Sequence, residues 1–321
     1  MEFCRAYGVT AAGNWEGHTI LSRVGDGDEQ RLEDARAKLL AARQKRPQPA
    51  RDDKVLTAWN GLAIAAFADA AAAFDEPRLA GVAARAADLL LTRVRDADDR
   101  LSRSWKDGRA LHAGTLEDYT HLADGLLALY QATFDERWFV AARALADQVL
   151  AHFGDPAGGF FDTADDHETL ITRPKGLQDN AIPSGGAMAA EVLLRLAAFT
   201  GERKYGDAAE TAIAGALPYA RRYPTAFAEW LSAFTFAVGD AVEIAIVGDP
   251  VAPDTRALLE VVRAGFRPLA VVAMGAAGHV PVLEGRPLRD GRATAYVCRN
   301  FACRAPATEP ADLAAQLTSD S

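Results

Sequence analysis

Three stretches set carboxylates, an imidazole and aromatic rings in front of alanine-rich helices. They are Asp52-Asp53 through Trp59-Asn60-Gly61, Glu117-Asp118-Tyr119-Thr120-His121, and Gln178-Asp179-Asn180 leading to Ser184. Paired carboxylates across a cavity are what glycoside hydrolysis requires, one protonating the leaving group and the other activating water or forming the covalent intermediate. Sugar epimerisation makes a similar demand for an acid and a base. Asp118 and Asp179 are the candidate catalytic carboxylates, and His121, one turn into its helix, is the candidate general base. Trp59, Tyr119 and Trp105 offer stacking faces for a sugar ring. Asp53, Trp59, Asn60, Tyr119 and Glu229 are the candidate substrate contacts. A plainer reading stands beside this one. A helix start welcomes acids and hydroxyls on its free N–H groups, so Asp118 and Ser184 also suit N-caps. Trp59 also suits a core position, and His121 a satisfied core histidine.

The elements that must position these residues repeat along the chain. Phe74-Asp75-Glu76, Phe134-Asp135-Glu136 and Phe199-Thr200-Gly201-Glu202 recur about 60 residues apart. Each phenylalanine closes an apolar helix, and a polar turn then opens an amphipathic one with a charged outer face. The spacing predicts helical hairpins with a buried inner and a solvated outer helix. Trp59, Asp118 and Ser184 stand at equivalent distances before the three phenylalanines, so the helix starts converge on one end. A fourth inner helix is predicted over 225–238, carrying Glu229. Strand-like segments over 99–111 and 158–173 join the hairpins.

Outside the repeat, a charged helix is predicted over 29–45 with Leu32, Ala35, Leu39 and Ala42 on one face; it ends at Arg46-Pro47. Beyond residue 240, Val242–Val247 reads as a buried strand, 254–264 as a helix and 269–274 as a second strand, a small βαβ-like unit. It has no Gly-x-Gly-x-x-Gly start, which argues against a dinucleotide site. The expected architecture is mainly α: a partial (α/α)6 toroid with a small C-terminal α/β segment. The boundaries fall at 1–50 for an irregular segment and helix, 51–240 for the hairpin repeats, and 241–321 for the α/β segment and tail.

Composition narrows the function classes. A net charge of -9 over 321 residues, with no basic stripe, argues against nucleic-acid binding. No uncharged run is long enough to predict a membrane span, and the N-terminus lacks the sections of a secretory signal, so a cytoplasmic setting is expected. The three cysteines, Cys4, Cys298 and Cys303, are too few for a disulfide framework. Cys298 and Cys303 have four residues between them and read as ordinary buried thiols ahead of a redox or metal pair. The six histidines show no zinc-binding spacing, and no Walker A loop or nucleophile elbow occurs. No metal or cofactor is expected.

The blocks "YGVTAAGNWEGHTIL", "RDDKVLTAWNGLAIAAFADA", "LEDYTHLADGLLALYQATFD", "LQDNAIPSGGAMAAEVLLRLA" and "AYVCRNFACRAP" span nearly the whole chain. They resemble the C-terminal part of the thioredoxin-domain-containing proteins akin to spermatogenesis-associated protein 20. In that family a thioredoxin-like domain precedes a six-hairpin toroid similar to those of N-acylglucosamine 2-epimerases and six-hairpin glycosidases. The resemblance implies an all-α toroid and carbohydrate handling. This sequence carries no Cys-x-x-Cys and no thioredoxin-like part, so the redox activity in the family's name does not transfer. It holds three full hairpins and a fourth inner helix where six hairpins are expected. Two expectations follow: a toroid that binds or acts on a small sugar, or a non-catalytic half-domain that pairs with a thioredoxin-like partner or with itself.

Overall fold

The computed structural model describes residues 1–168, 171–276 and 278–318. The chain forms two compact units, Met1–Asp53 and Lys54–Ser321. In the first, a short helix α1 (Glu2–Ala6) precedes α2 (Glu29–Gln44). Asp28 caps α2, its carboxylate accepting from the Arg31 amide at 3.0 Å. Of the apolar face expected on α2, only Leu32 is buried, and ion pairs of Arg36 with Glu29 and Glu33 line its exposed side.

The second unit holds the hairpins. A two-residue strand β1 (Val55–Leu56) leads into α3 (Thr57–Ala73) and its outer partner α4 (Pro77–Arg93). Strands β2 (Ser102–Lys106) and β3 (Arg109–Ala113) then pair with β1 as a small antiparallel sheet in the order β1-β2-β3. The hairpins α5 (Leu116–Thr133) with α6 (Glu136–His152) and α7 (Gly185–Thr200) with α8 (Arg203–Arg222) follow. The fourth inner helix, α9 (Ala228–Val238), starts after a 3-10 turn at Pro224–Ala226. Helices α3, α5, α7 and α9 pack in chain order as an inner layer, with α4, α6 and α8 outside. This is the arc of an α/α toroid.

The corners are made where the phenylalanines predicted them. Phe134 ends α5 in the left-handed conformation at φ 57°, and Gly201 ends α7 in the same way at φ 72°. Asp135 then caps α6, and Pro77 opens α4 in the first turn, where its missing N–H costs nothing. The inner helices differ in how far they are enclosed. Both α5 and α7 are buried on nearly every face. In contrast, α3 buries Ala58, Gly61, Ile64, Ala68 and Ala71 and leaves Trp59, Phe67 and Phe74 exposed. Tyr130, Phe139 and Phe199 knit the hairpins together through edge-on and tilted ring contacts at 5.4–5.7 Å.

No strands form over the described part of 158–173, and residues 169–170 of that span lie outside the described residues. Gly158 and Gly159 take positive φ, and side chains hold the segment in place of a ladder. The Arg173 guanidinium donates to the carbonyls of His152 and Thr163, and the Asp162 carboxylate accepts from the Gly176 amide.

The C-terminal segment is built as β4 (Val242–Val247), α10 (Pro253–Arg263), β5 (Ala270–Gly275), β6 (Thr294–Arg299), β7 (Ala302–Cys303) and α11 (Pro310–Thr318). The sheet order is β5-β4-β6-β7, with β4 and β5 parallel across α10, so the βαβ unit forms as the hydrophobic runs require. Cys298 and Cys303 depart from the expectation of separate thiols. They lie opposite each other on β6 and β7 and are joined as a disulfide, while Cys4 is free and exposed. Among the described residues no helix is long and apolar enough to cross a membrane.

Candidate functional site

The starts of the inner helices are tied together by Asp118 and Asp179, whose carboxylates are engaged with backbone. Asp118 accepts from the Thr115 amide, at the cap of its own helix, at 2.8 Å, and from the Ala58 amide of α3 at 3.1 Å. Asp179 accepts from the Ser184 amide, at the cap of α7, and from the Glu229 amide of α9, both at 2.9 Å. Each carboxylate thus caps two neighbouring inner helices, α3 with α5 and α7 with α9. A helix start has several N–H groups without an internal partner, and one bidentate acceptor satisfies two starts at once. Burial pushes Asp118 up to about 6 against the pull of those amides.

The other residues singled out from sequence take varied places. Tyr119 is buried, its hydroxyl accepting from the Leu101 amide at 2.8 Å. His121 is fully buried, and neither ring nitrogen has a hydrogen-bond partner among the described residues. Burial pushes it down to about 4, so it is neutral at pH 7. Asn60 donates to the Leu56 carbonyl across one turn, and Trp59 is 62% exposed. Trp105 is half-buried on β2, opposite Val55. Asp53 belongs to the first unit, where it pairs with Arg51.

Glu229 is different. It lines a cavity of about 840 Å³ bounded by the inner helices, α10 and the loop leading to β5. Asp69 of α3, Glu191 and Arg195 of α7, and Glu229 of α9 line its inner-helix side, Arg263 and Arg267 line the side formed by α10 and the following loop, and Phe134, Phe236 and Phe266 supply apolar surface. The Arg195 guanidinium donates to Glu191 at 2.8 Å and lies 3.4 Å from Asp124 of α5. The other Glu191 carboxylate oxygen is buried without a partner among the described residues. Four acids therefore gather around one arginine. Burial pushes Glu229 up to about 7, helped by repulsion from Glu191, Asp124 and Asp179. It pushes Asp124 up to about 6, with Arg195 opposing. Asp69 is raised by the same cause. A carboxyl poised near neutrality is able to give and take a proton at physiological pH.

Of the residues picked from the helix starts, Glu229 alone lines this cavity; Asp179 adjoins it through the Glu229 amide. Asp69, Asp124, Glu191 and Arg195 were missed. The available signal was Asp69 as the lone charge of α3, together with Glu191 and Arg195 at i,i+4 on an otherwise apolar face; Asp124 carried none. Elsewhere, His152, Asp165 and Asp166 bring ligand-type atoms within 4.8 Å of one another at the surface. The His152 Nδ1 pairs with Asp165, and Arg100 pairs with Asp166.

Glu229 sets a pH signature. An acid whose folded pKa lies near 7, above its unfolded value, leaves stability untouched below about pH 4.5. It lowers stability progressively up to about pH 7 and by the full amount above that. Glu229→Gln removes the penalty. It is expected to stabilise the protein at pH 8 by on the order of 1–2 kcal/mol after allowance for solvent, a shift of a few degrees in Tm, and to be neutral at pH 4.5. Thermal melts of the two proteins at both pH values check this.

An arc of α/α hairpins around a carboxylate-lined cavity is the class that fold and site define. In sequence the chain is similar to spermatogenesis-associated protein 20, as the quoted blocks indicate. It is 34% identical to the Homo sapiens protein over 294 residues and 33% identical to that of Mus musculus. The alignments cover 86% of this chain, which spans 37% of the length of those relatives. No family model matches the chain. Among solved structures, cellobiose 2-epimerase from Spirochaeta thermophila DSM 6192 overlaps 57% of this chain and 53% of its own, at 19% identity and a TM-score of 0.43. That overlap is too partial to bear on chemistry.

Proposed function

We propose that the cavity binds a small polyhydroxylated ligand, a sugar, and that Glu229 serves there as the proton donor and acceptor. The observation that carries this reading is the gathering of Asp69, Glu191 and Glu229 with Arg195 at the wall of one cavity, with Asp124 of a fourth helix pairing with Arg195. Carboxylates and a guanidinium are the groups that grip vicinal hydroxyls, and Phe134, Phe236 and Phe266 offer apolar surface to the C–H faces of a ring. In this reading Asp179 is a positioning residue, because it holds the first turn of α9 and with it Glu229. Asp118 and the neutral His121 act at a remove, by fixing α5 against its neighbours.

The test is a thermal-shift screen of mono- and disaccharides, since a ligand bound to the folded state raises Tm by mass action. One sugar class is expected to raise Tm, and both Glu229→Gln and Glu191→Gln are expected to abolish the rise. If no sugar stabilises the protein, or if the rise survives both substitutions, the reading fails. The exposed apolar side of α3, with Trp59 and Phe67, favours a second reading in which the chain is a non-catalytic half-domain that pairs with another surface. Concentration-dependent self-association with no response to sugars would be its mark.

A further inference from the structure

The disulfide has surroundings that a purely structural crosslink does not need. Glu243 on β4, Cys298 on β6 and Cys303 on β7 are in register across three neighbouring strands, so their side chains share one face. Asn300 and Phe301 make the β6–β7 turn in the left-handed region, at φ 49° and 62°, and this tight turn brings the two cysteines opposite each other. The buried Glu243 carboxylate accepts from the Phe301 amide at 3.2 Å and so holds that turn. One guanidinium nitrogen of Arg286 lies 3.4 Å from the Cys298 sulfur and 3.3 Å from the Cys303 sulfur. Cys298 is buried and Cys303 is exposed.

A disulfide sulfur is a poor acceptor for a guanidinium, whereas a thiolate is a strong one. The Arg286 Nε is buried with no hydrogen-bond partner among the described residues, while its guanidinium also donates to the Glu284 carbonyl at 3.2 Å and lies over the Tyr296 ring at 5.9 Å. The cation is therefore placed where the reduced form of the cysteine pair satisfies it better than the oxidised form does.

We propose that Cys298–Cys303 is a redox-active disulfide that exchanges electrons with dithiols, with Arg286 stabilising the thiolate released at Cys298. A thiolate of the dithiol attacks the exposed Cys303 sulfur. The Cys298–Cys303 bond breaks, and its electron pair stays on Cys298 beside Arg286. The second thiolate of the dithiol then attacks its own sulfur in the mixed disulfide and expels Cys303 as a thiolate. The dithiol leaves as a cyclic disulfide, having given two electrons to the cysteine pair, and its two protons pass to solvent or to the cysteines. Arg286 is a positioning residue for this step, and Glu243 acts through the turn.

The experiment equilibrates the full chain, in a Cys4→Ser background, with reduced and oxidised dithiothreitol, followed by maleimide trapping and mass analysis. The folded protein is expected to be reduced reversibly, and Arg286→Met is expected to slow reduction about tenfold, with Arg286→Lys intermediate. A second measurement needs no substitution near the pair: alkylation of reduced Cys298 against pH, with the peptide identified by mass. Its midpoint is expected at least one unit below the ordinary cysteine value of about 8.5. A pair that opens only when the protein unfolds, or an Arg286→Met rate equal to the parent's, or a Cys298 midpoint at or above about 8.5, would each overturn the proposal.

Discussion

Arg195→Met is expected to cost about 3 kcal/mol of stability at pH 8 and much less at pH 5. The substitution keeps most of the apolar stem and removes the charge, so lost packing contributes little. It leaves Asp124 and Glu191 facing each other with Asp69 and Glu229 close by. The Arg195, Asp124 and Glu191 side chains are 27%, 13% and 8% exposed, so water screens the stranded charges poorly. The sign of the pH effect follows from the cluster. Burial and mutual repulsion already raise Asp124 and Glu229, to about 6 and about 7. Without the guanidinium those values rise further. Acids with raised folded pKa values destabilise the fold above those values and cease to do so once protonated. The deficit of the variant should therefore shrink steadily as the pH falls from 8 to 5. Urea denaturation at pH 8, 6.5 and 5 reads it directly. A cost that stays constant across that range would mean that Arg195 acts through packing, and the electrostatic account of the cavity would fall with it. Arg195→Met combined with Glu191→Met should recover part of the loss at pH 8, because the second change removes one of the stranded charges.

The same cluster explains what the sequence could and could not disclose. The hairpin corners near Phe134 and Phe199 rest on a recurring local pattern: a phenylalanine closes one helix, and an acid starts the next. Such signals repeat in register and are legible in one dimension. The polar helix starts were legible too, and Asp118 and Asp179 do tie inner helices together there. What sequence alone left open was whether Asp118 and Asp179 face a ligand or a backbone. Their partners, Ala58 and Glu229, lie 60 and 50 residues away, and nothing local announces that one carboxylate caps two helices. Asp69 and Asp124 were harder still, since they stand 55 residues apart in the sequence and acquire meaning only when Arg195 of a third helix is brought near them. The disulfide was hidden for a related reason. It depends on Phe301 adopting a left-handed conformation that bulky residues seldom take, so the turn between Cys298 and Cys303 has no propensity signal.

Gly61→Ala is expected to destabilise the protein by about 2–3 kcal/mol, although helix propensity alone argues for a gain of about 1 kcal/mol. The two effects oppose each other, and geometry decides between them. Gly61 on α3 and Gly125 on α5 face one another where the two inner helices cross. A methyl group at Gly61 would sit 2.5 Å from the His121 carbonyl oxygen, and one at Gly125 would sit 2.5 Å from the Gly61 carbonyl oxygen. Real Cβ contacts do not come so close, and the obstructing atoms are backbone, which cannot turn aside as a side-chain tip can. Relief requires the helix axes to part, and that movement also loosens the Asp118 bridge between the Thr115 and Ala58 amides. Gly215 on α8 supplies the control, because nothing lies within 4 Å of a methyl group placed there. Gly215→Ala should therefore return the propensity gain of up to about 1 kcal/mol. The double substitution Gly61→Ala with Gly125→Ala should cost less than the sum of the single changes, since one parting of the helices relieves both clashes. Denaturant midpoints of the four variants decide the matter. If Gly61→Ala stabilises the protein as Gly215→Ala does, the close crossing of α3 and α5 is not what these glycines serve.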